Sequence, residues 1–311
     1  MSINKSKDEK GIVFHIIHGS FVDGHGIRTT VFLKGCPLRC VWCCNPEGQA
    51  GYLEIKLTSA KCNRCEKCVG ICPTKAILLN GKGESAGVSI DRGLCINCGE
   101  CLEVCFTGAL EAFGKYMSAE EVFQIVQRDK LFYELSGGGV TIGGGEPTSQ
   151  PFFTYALLKK CQEHGIHTAV DTCGYVIDHE GYKVLEEADL LLYDLKGMDP
   201  SEHTRNTGIS NERILDNLER LAGMDKPIII RLPIVPGRND STKDIKGMAE
   251  FLSKLKSVER VDLLPYHKYG TVKYGQLGRI YKLNVQPPDM EYMNSLKSTF
   301  EHYGLKTQVG G

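Results

Sequence analysis

Three cysteines lie close together in one short segment of this 311-residue chain. Cys36, Cys40 and Cys43 follow the spacing C-x3-C-x2-C, and thiols this close together suit a single metal centre. A structural zinc is held by four protein ligands, whereas three thiolates on a four-iron, four-sulfur cluster leave one iron without a protein ligand. The spacing therefore favours a cluster whose open iron can bind a substrate. The alternative is a closed zinc site in which Cys44 supplies the fourth ligand.

Eight more cysteines form an internal repeat of two runs about 33 residues apart. Each run has the spacing C-x2-C-x2-C-x3-C, which matches bacterial two-cluster ferredoxins, where the fourth cysteine of each run ligates the other cluster. Zinc sites instead use cysteine pairs with longer gaps. The first expected ligand set is Cys62, Cys65, Cys68 and Cys105. The second expected ligand set is Cys95, Cys98, Cys101 and Cys72.

The second run lacks the proline that follows the first. Phe106 stands where the first run has Pro73. Proline at this place mainly stiffens a turn, so no loss of ligation is expected. Together with the loop at Cys36, the chain is expected to hold three [4Fe-4S] clusters.

A strand and a parallel sheet must position the first cysteine segment. Residues 29–34 are β-branched and apolar, which predicts a buried strand that ends at the cysteines. Strand and helix patterns alternate after Lys115, and repeated strand-helix units require a parallel sheet. The predicted strands span residues 11–17, 29–34, 140–142, 167–172, 190–196, 227–234 and 260–264. The first predicted helix begins at Ser118 and ends before Ser136. The other predicted helices span residues 152–164, 180–187, 212–224, 245–255 and 290–303.

The strand count predicts an α/β fold with a partial, open (β/α)6 barrel, because about six units are fewer than the eight of a closed barrel. The expected barrel comprises residues 11–50 and 115–311. A ferredoxin-like insert with two clusters is expected over residues 51–114. The sites of such sheets lie at the carboxyl ends of the strands.

Composition limits the classes of function. The formal charge of −1 comes from interspersed signs without a basic stripe, so nothing favours nucleic acid. No run of 18 apolar residues is present, and residues 1–10 have no apolar core of a signal peptide, so a cytoplasmic protein without membrane contact is expected. Eleven of the fourteen cysteines fall in the three clusters. Cys161 and Cys173 are expected to be buried small apolar residues.

The cysteine segment resembles that of radical S-adenosylmethionine (SAM) enzymes, in which the open iron chelates SAM. Residues 22–28, Val-Asp-Gly-His-Gly-Ile-Arg, resemble the opening of the enzymes that activate glycyl radical enzymes, with His25 at a place that is usually proline. The glycines of this segment indicate a shaped turn. Its resemblance implies contact with the partner enzyme, at the mouth of the barrel. Cys44-Asn45-Pro46-Glu47 resembles the family's continuation of the cluster loop.

The resemblance also implies SAM contacts at successive strand ends. Residues 143–147 resemble the superfamily's Gly-Gly-Glu-Pro, whose backbone meets the SAM amino group, and the Glu146 carboxylate is expected to face the same mouth. Asp171-Thr172-x-Gly174 and Asp194-Leu195-Lys196 resemble two motifs of the activating enzymes. Any one of these residues could instead be a helix cap or turn residue. The candidate SAM contacts are Trp42, Cys44, Gly144, Gly145, Glu146, Asp171, Thr172, Asp194, Leu195, Lys196, Arg231 and His267.

Individual roles follow by the same analogy. Asp194 and Lys196 would meet the ribose and carboxylate of SAM, and Asp171 and Thr172 would help to hold a monovalent cation near that carboxylate. Arg231 lies within an apolar strand, where an unpaired charge is costly, so it is expected to face the interior and an anion. His267 ends a Leu-Pro-Tyr-His sequence and would lie against the adenosine.

The function implied by the resemblance is that of a glycyl radical enzyme activating enzyme, an anaerobic oxidoreductase. A low-potential donor, flavodoxin or ferredoxin, would supply one electron through the two auxiliary clusters, and the resulting 5′-deoxyadenosyl radical would take a Cα hydrogen from a glycine of the partner. The protein is expected to be a monomer. The alternatives are a radical SAM enzyme with a small-molecule or other peptide substrate and a polyferredoxin electron carrier.

Overall fold

The computed structural model of the protein describes residues 9–81 and 87–311, so most of the polar start (residues 1–8) lies outside the described residues. The strands are β1 (Lys10–Ser20), β2 (Arg28–Leu33), β3 (Glu54–Leu57), β4 (Ile77–Asn80), β5 (Gly87–Ile90), β6 (Leu110–Phe113), β7 (Lys115–Ser118), β8 (Gly139–Gly144), β9 (His167–Thr172), β10 (Leu190–Asp194), β11 (Ile228–Ile234), β12 (Val258–Pro265) and β13 (Thr307–Val309).

The described residues also form eleven α-helices, two of them before β7 and nine after it. They are α1 (Lys67–Ile71), α2 (Glu100–Glu103), α3 (Ala119–Val126), α4 (Lys130–Ser136), α5 (Pro151–Glu163), α6 (His179–Glu187), α7 (Pro200–Thr207), α8 (Glu212–Ala222), α9 (Thr242–Leu252), α10 (Thr271–Gln276) and α11 (Met290–His302). None of the helices in the described ranges is long and apolar enough to cross a membrane.

One nine-stranded sheet organises the described part of the chain, in the order β13-β12-β11-β10-β9-β8-β2-β1-β7. Seven strands of this sheet pair in parallel with their neighbours: β2, β8, β9, β10, β11, β12 and β13. Strand β1 pairs antiparallel with both β2 and β7. The predicted open parallel sheet is therefore confirmed. Three features were not predicted: the antiparallel direction of β1, the edge strand β7 and the short seventh parallel strand β13.

Local sequence explains where the helices begin. Ser118 and Glu121 form a capping box at the start of α3, in which each side chain bonds the other residue's backbone N–H. Three more helices have a capped amino end, where a side-chain oxygen accepts from a backbone N–H of the first turn. The capping residues are Asp178 for α6, Asp199 for α7 and Ser241 for α9. The predicted helix ends agree with these bounds to within three residues.

The two faces of the sheet have different chemistry. Side chains alternate between faces along a strand, and the outer face packs its aliphatic residues against the helices in one large core. The inner face has an apolar layer of Ala169, Leu190, Leu192 and Ile229. In the strand register, Asp194, Arg231 and Asp262 form a row one step nearer the carboxyl ends than Leu192 and Ile229. Polar groups are thus concentrated on the side of the barrel where a site is expected.

The turn between β1 and β2, residues 21–27, closes the base of the barrel, and we call it the base loop. His25 bonds Glu259 at the amino end of β12, 3.1 Å between Nε2 and Oε2. A Cβ on Gly26 would lie 2.4 Å from the backbone nitrogen of Gly138, next to β8, so only glycine fits there. The base loop therefore spans the open side of the sheet at the amino ends of the strands.

The insert between β3 and β6 contains two small antiparallel sheets, β3–β6 and β4–β5, with helices α1 and α2 packed together. Buried Cys68 and Cys101 belong to its small core with Ile55, Ile77, Val88 and Leu110. These elements fall within the predicted limits 51–114. The limits themselves stay a prediction.

A buried ionic group joins the insert to the barrel. Lys34 follows β2, is fully buried and donates from Nζ to the Glu47 carbonyl and to Glu54 Oε2, the latter at 3.2 Å. Arg279 pairs with the other carboxylate oxygen of Glu54. Burial lowers the pKa of Lys34, and the neighbouring Glu54 carboxylate opposes that effect. Glu54 is thus the shared anion of two cations from different parts of the chain.

Replacing Glu54 by alanine should destabilise the reconstituted protein strongly, because it leaves the Lys34 ammonium buried without its anion. Breaking such a buried pair costs about 3–5 kcal/mol. The matched control is Glu111→Ala, which removes a carboxylate that pairs with Lys56 while about 43% exposed and should cost under about 1 kcal/mol. Anaerobic thermal unfolding would compare the midpoints, and equal midpoints would contradict this account.

Candidate functional site

A cavity of about 690 Å³ lies at the carboxyl ends of the strands, on the inner side of the sheet. The three thiols of the first cysteine segment lie in its wall. Most of the candidate SAM contacts also line it: Trp42, Cys44, Gly144, Gly145, Asp171, Thr172, Asp194, Lys196, Arg231 and His267. Residues scattered over more than 200 positions of sequence therefore share one cavity with the three cysteines.

Neighbouring backbone holds the cysteine loop, residues 35–49, in place. Gly35 N donates to Gly48 O at 2.8 Å, and Cys36 N donates to Gln49 O at 3.1 Å. On the other side, Arg39 N donates to Thr207 O at 2.7 Å, and Val41 N to Asn206 O at 2.9 Å. These bonds fix the path of the loop backbone on both sides of the thiols without using any thiol.

A segment between β12 and α11, residues 266–283, crosses the cysteine loop, and we call it the strap. Lys273 bonds Asn45 at 2.9 Å and Glu47 at 2.6 Å. Tyr274 donates its hydroxyl proton to the Cys43 carbonyl at 3.2 Å. A Cβ on Gly270 would lie 2.8 Å from Cys44 Cα, so glycine permits this close approach. Of the strap residues, His267 alone was a predicted site residue, and the contacts of the strap with the cysteine loop were not predicted.

The glycines after β8 bring two strand ends together. Gly145 N donates to Leu33 O at 2.7 Å, and a Cβ on Gly145 would lie 2.3 Å from Gly35 O. Gly144 has a φ of +104°, a conformation that side chains rarely adopt. Glycine is required here because the turn packs directly against the start of the cysteine loop.

The expectation that the Glu146 carboxylate faces the cavity is wrong. Its side chain is fully buried, and it accepts hydrogen bonds from the backbone and hydroxyl of Thr148, the Thr172 hydroxyl and Cys173 N. A carboxylate with four donors has little capacity left for a ligand. Glu146 instead ties the end of β8 to the end of β9, so any role toward SAM would be one of positioning.

Leu195 was expected to contact SAM, but its side chain does not face the cavity. Strand alternation turns Asp194 and Lys196 inward, and it turns Leu195 outward into the large core, where it is 1% exposed. Lys196 Nζ lies 2.6 Å from Asp194 Oδ2. Burial opposes the charge of Lys196, but Asp194 outweighs it and raises the pKa of Lys196 above its ordinary value. Lys196 therefore carries its positive charge at neutral pH.

Arg231 connects the base loop to the strand ends. Its Nη1 lies 3.1 Å from Asp171 Oδ2 and 3.6 Å from Asp23 Oδ1. Burial raises the pKa of Asp171 to about 7, and Arg231 counteracts part of that rise. Among the described residues, Asp171 Oδ1 and Arg231 Nε are buried and have no hydrogen-bond partner. Asp171 Oδ1 therefore remains available to a cation or a donor group, and Arg231 Nε to an acceptor group of a polar ligand.

The base loop reaches the cavity only at its start, through Val22 and Asp23, and its expected contact with the partner stays a prediction. Asp23 reaches the cavity wall, but Arg28 is fully buried and bonds Val140 and Thr141 near the start of β8. A Cβ on Gly24 would meet Arg28 and Leu190. A valine at Gly24 would therefore disturb the base of the barrel before it affected the mouth. Residues 24–28 close the barrel rather than border its mouth.

His267, near the start of the strap, and Trp42, in the cysteine loop, both lie on the cavity wall. The His267 ring stacks on Tyr269 with 4.4 Å between centroids, and burial lowers the pKa of His267, which favours the neutral imidazole. Trp42 is 8% exposed and packs with Val235, Tyr266 and Leu283. Aromatic surface is thus available near the thiols for a flat ligand group.

Two smaller cavities in the insert collect the other cysteines. One is lined by Cys62, Cys65, Cys68 and Cys105, and we call these the outer set. The second is lined by Cys72, Cys95, Cys98 and Cys101, and we call these the inner set. In the described residues no three His, Cys, Asp or Glu side chains form a group that could hold a single metal ion. The fourth cysteine of each run lies beside the three of the other run.

Known proteins with similar sequences share both parts of this architecture. Residues 103–252 match the Radical SAM superfamily, and residues 61–109 match a 4Fe-4S dicluster domain. The trans-4-hydroxy-L-proline dehydratase activating enzyme of Clostridioides difficile is 41% identical over 304 residues, which cover 96% of this chain and 99% of that protein. The chain belongs to the radical SAM activating enzymes of glycyl radical enzymes. The predicted family, fold and enzyme class are thereby confirmed.

A second curated relative and a solved structure are also similar to this chain. The benzylsuccinate synthase activating enzyme of Thauera aromatica is 40% identical over 310 residues, covering 96% of this chain and 92% of that protein. SuiB of Streptococcus suis, crystallised with SAM, matches with a TM-score of 0.52 and 19% identity over 63% of this chain and 44% of that chain. At that identity the likeness to SuiB shows the fold alone.

The crossed arrangement of the insert cysteines predicts two different iron contents. Cys65 and Cys105 lie in one cavity, so Cys65→Ala/Cys105→Ala should lose one cluster and retain about eight of about twelve irons. Cys65 and Cys72 lie in different cavities, so Cys65→Ala/Cys72→Ala should lose two clusters and retain about four. Iron and sulfide analysis after anaerobic reconstitution measures both. The reverse order would show that each run holds its own cluster.

Proposed function

We propose that this activating enzyme binds SAM in the 690 Å³ cavity, on a [4Fe-4S] cluster held by Cys36, Cys40 and Cys43. The supporting observation is that these thiols share a cavity wall with polar groups from the ends of β9, β10 and β11. The chain's own donors fit the ligands: three thiols suit a cluster with one open iron, and the cavity provides buried charges of both signs. When reduced, a cluster of this kind supplies one electron that cleaves the SAM sulfonium bond to give a 5′-deoxyadenosyl radical.

The charged residues of the cavity would orient SAM. Lys196 is held by Asp194 and offers a cation to the SAM carboxylate, while Asp194 can accept from the ribose hydroxyls. Asp171 Oδ1 and the Thr172 carbonyl would hold a monovalent cation close to that carboxylate. His267, kept neutral by burial, and Trp42 would contact the adenosine. Cys44 is adjacent to the cluster ligands and would contact SAM without ligating iron.

The partner would present a glycine loop to the same cavity. The activating enzyme acts on a glycyl radical enzyme, and glycine suits the reaction because it has no Cβ to hinder entry or planarity. Half-exposed Val22, in the base loop, and Ile17, near the end of β1, also line this cavity. Relatives named for a dehydratase and for benzylsuccinate synthase are equally similar to this chain, so overall identity does not select the partner.

The remaining parts of the proposal concern electrons and location. The outer and inner sets would each hold one [4Fe-4S] cluster, for three clusters in the chain, within an insert of residues 51–114. Flavodoxin or ferredoxin would be the electron donor. The enzyme would act as a cytoplasmic monomer under anaerobic conditions.

Isotope transfer tests the reaction directly. A glycyl radical enzyme labelled with α-deuterated glycine should yield deuterium in 5′-deoxyadenosine and a persistent glycyl radical signal on the partner. Cys40→Ala should abolish both results, because the cluster loses one of its three protein ligands. Mass spectrometry and electron paramagnetic resonance measure them. Unlabelled deoxyadenosine, formed together with a modified small molecule, would instead favour a different substrate class.

The raised pKa of Asp171 predicts a pH-dependent cation effect. Because burial raises the pKa of Asp171 to about 7, more of this carboxyl group is deprotonated at pH 8 than at pH 6. Potassium chloride should therefore strengthen SAM binding several-fold more at pH 8 than at pH 6, relative to choline chloride of equal ionic strength. Asp171→Asn should remove this difference. An unchanged potassium effect in that variant would exclude Asp171 from the cation site.

A further inference from the structure

The two cysteine sets of the insert differ in their distance from the barrel. Glu54 pairs with Phe113 where the insert joins the barrel, and Leu57 pairs with Leu110 at the far end of the same sheet. Ile55, one residue from the junction, lines the cavity of the inner set, whereas Leu110 lines that of the outer set. The inner set therefore lies nearer the cysteine loop.

A direct contact with the strap supports the same order. Arg92, three residues before Cys95, donates to the Gln276 carbonyl of the strap at 3.1 Å and to the Ile55 carbonyl. The strap in turn contacts the cysteine loop through Tyr274 and Cys43. A chain of packed residues thus connects the inner set to the SAM site.

The outer set presents a more basic surface than the inner set. Residues 61–68 carry Lys61, Arg64 and Lys67 against Glu66, a formal charge of 3 − 1 = +2. The equivalent residues 94–101 carry Glu100 alone, a formal charge of −1. Nearby, Glu111 pairs with both Lys56 and Lys61, which leaves the local balance positive. Lys75 is an exposed cation near the inner set.

An exposed aromatic ring lies within the basic surface. Phe106 follows the outer ligand Cys105 and is 83% exposed, and the Lys67 ammonium lies 5.0 Å from its ring centroid. Each set has one exposed cysteine, Cys65 in the outer set and Cys98 in the inner set, so exposure of a thiol does not separate the two. Aromatic residues and arginine are enriched at protein interfaces, and lysines at the rim of an interface steer an acidic partner. Ferredoxin-like turns use proline at this place for stiffness, so the phenylalanine has no evident local role.

We infer that this face, formed by Lys61, Arg64, Lys67 and Phe106, is the docking site for a small acidic electron-transfer protein of the flavodoxin type. One electron leaves the flavin hydroquinone, which becomes the semiquinone, and passes to the outer cluster, then to the inner cluster and then to the cysteine-loop cluster. The inference rests on the proposed function, in which that electron is consumed in cleaving SAM. Charge complementarity would speed encounter with an acidic partner and orient it.

Two lysines of the insert provide a matched comparison. Lys67→Glu changes the charge beside the outer set, and Lys75→Glu makes the same change beside the inner set. Stopped-flow oxidation of a reduced acidic flavodoxin by the reconstituted full-length enzyme would measure the second-order rate at several ionic strengths. Lys67→Glu should lower the rate at low salt by at least about tenfold and flatten its salt dependence. Lys75→Glu should stay within about twofold of the unmodified enzyme.

A third variant separates contact area from charge. Phe106→Ser should weaken flavodoxin binding, measured by calorimetry with oxidised flavodoxin, while the salt dependence of the rate stays unchanged. All three variants should cleave SAM normally with excess dithionite, which shows that their clusters are intact.

The outcomes distinguish this inference from the proposed function. Failure of the unmodified enzyme to cleave SAM with dithionite, or to form a partner radical, would refute the proposed function. The docking site is overturned if both reactions proceed but Lys67→Glu reacts with flavodoxin at the unmodified rate, or if Lys75→Glu shows the larger loss. It is also overturned if reduced flavodoxin does not transfer electrons to the unmodified enzyme at low ionic strength.

Discussion

The buried Lys34 ammonium is the interaction on which the arrangement of the whole molecule depends. The backbone nitrogen of Lys34 donates to the Ile12 carbonyl of β1, and the Lys34 carbonyl accepts from the side chain of Gln150, which precedes α5. Its Nζ bonds Glu47 in the cysteine loop and Glu54 in the insert. A charge at zero exposure must satisfy its donors locally, so each of these segments has one place relative to the others. The cysteine loop begins at the next residue, and its position follows from this constraint.

The polar character of the cavity follows from parallel topology and from the closed base. Parallel strands bring their carboxyl ends to one edge, and alternation gives Asp171, Asp194 and Arg231 to the inner face. The base loop lies at the opposite, amino ends of the strands and contributes Asp23 to the charged group around Arg231. The same segment therefore shapes the floor of the site and its electrostatics.

Sequence predicted the parts of the site that depend on chemistry and period. Thiol spacing grouped the cysteines into three sets, the family resemblance pointed to Asp194 and Lys196, and the cost of an unpaired charge in an apolar strand pointed to Arg231. The errors concern direction and long-range packing. Glu146 was misjudged because its four hydrogen-bond donors come from residues 148, 172 and 173, and strict alternation could have excluded Leu195. The strap was missed because its contacts with residues 43–47 span more than 220 positions, and no local pattern encodes such a contact.

The insert shows how a sequence repeat can give two different environments. Its two runs have the same cysteine spacing, and the crossed ligand sets make each cavity depend on both runs. Attachment to the barrel then removes the equivalence, because Glu54 and Arg92 hold the inner set against the barrel and the strap. The loop of residues 61–68, which supplies three cysteines of the outer set, carries three cations, and Phe106, which follows the fourth cysteine of the second run, adds the exposed ring. The side chains around the two sets thus differ in the way that the proposed electron path, from the outer set through the inner set to the cysteine loop, would require.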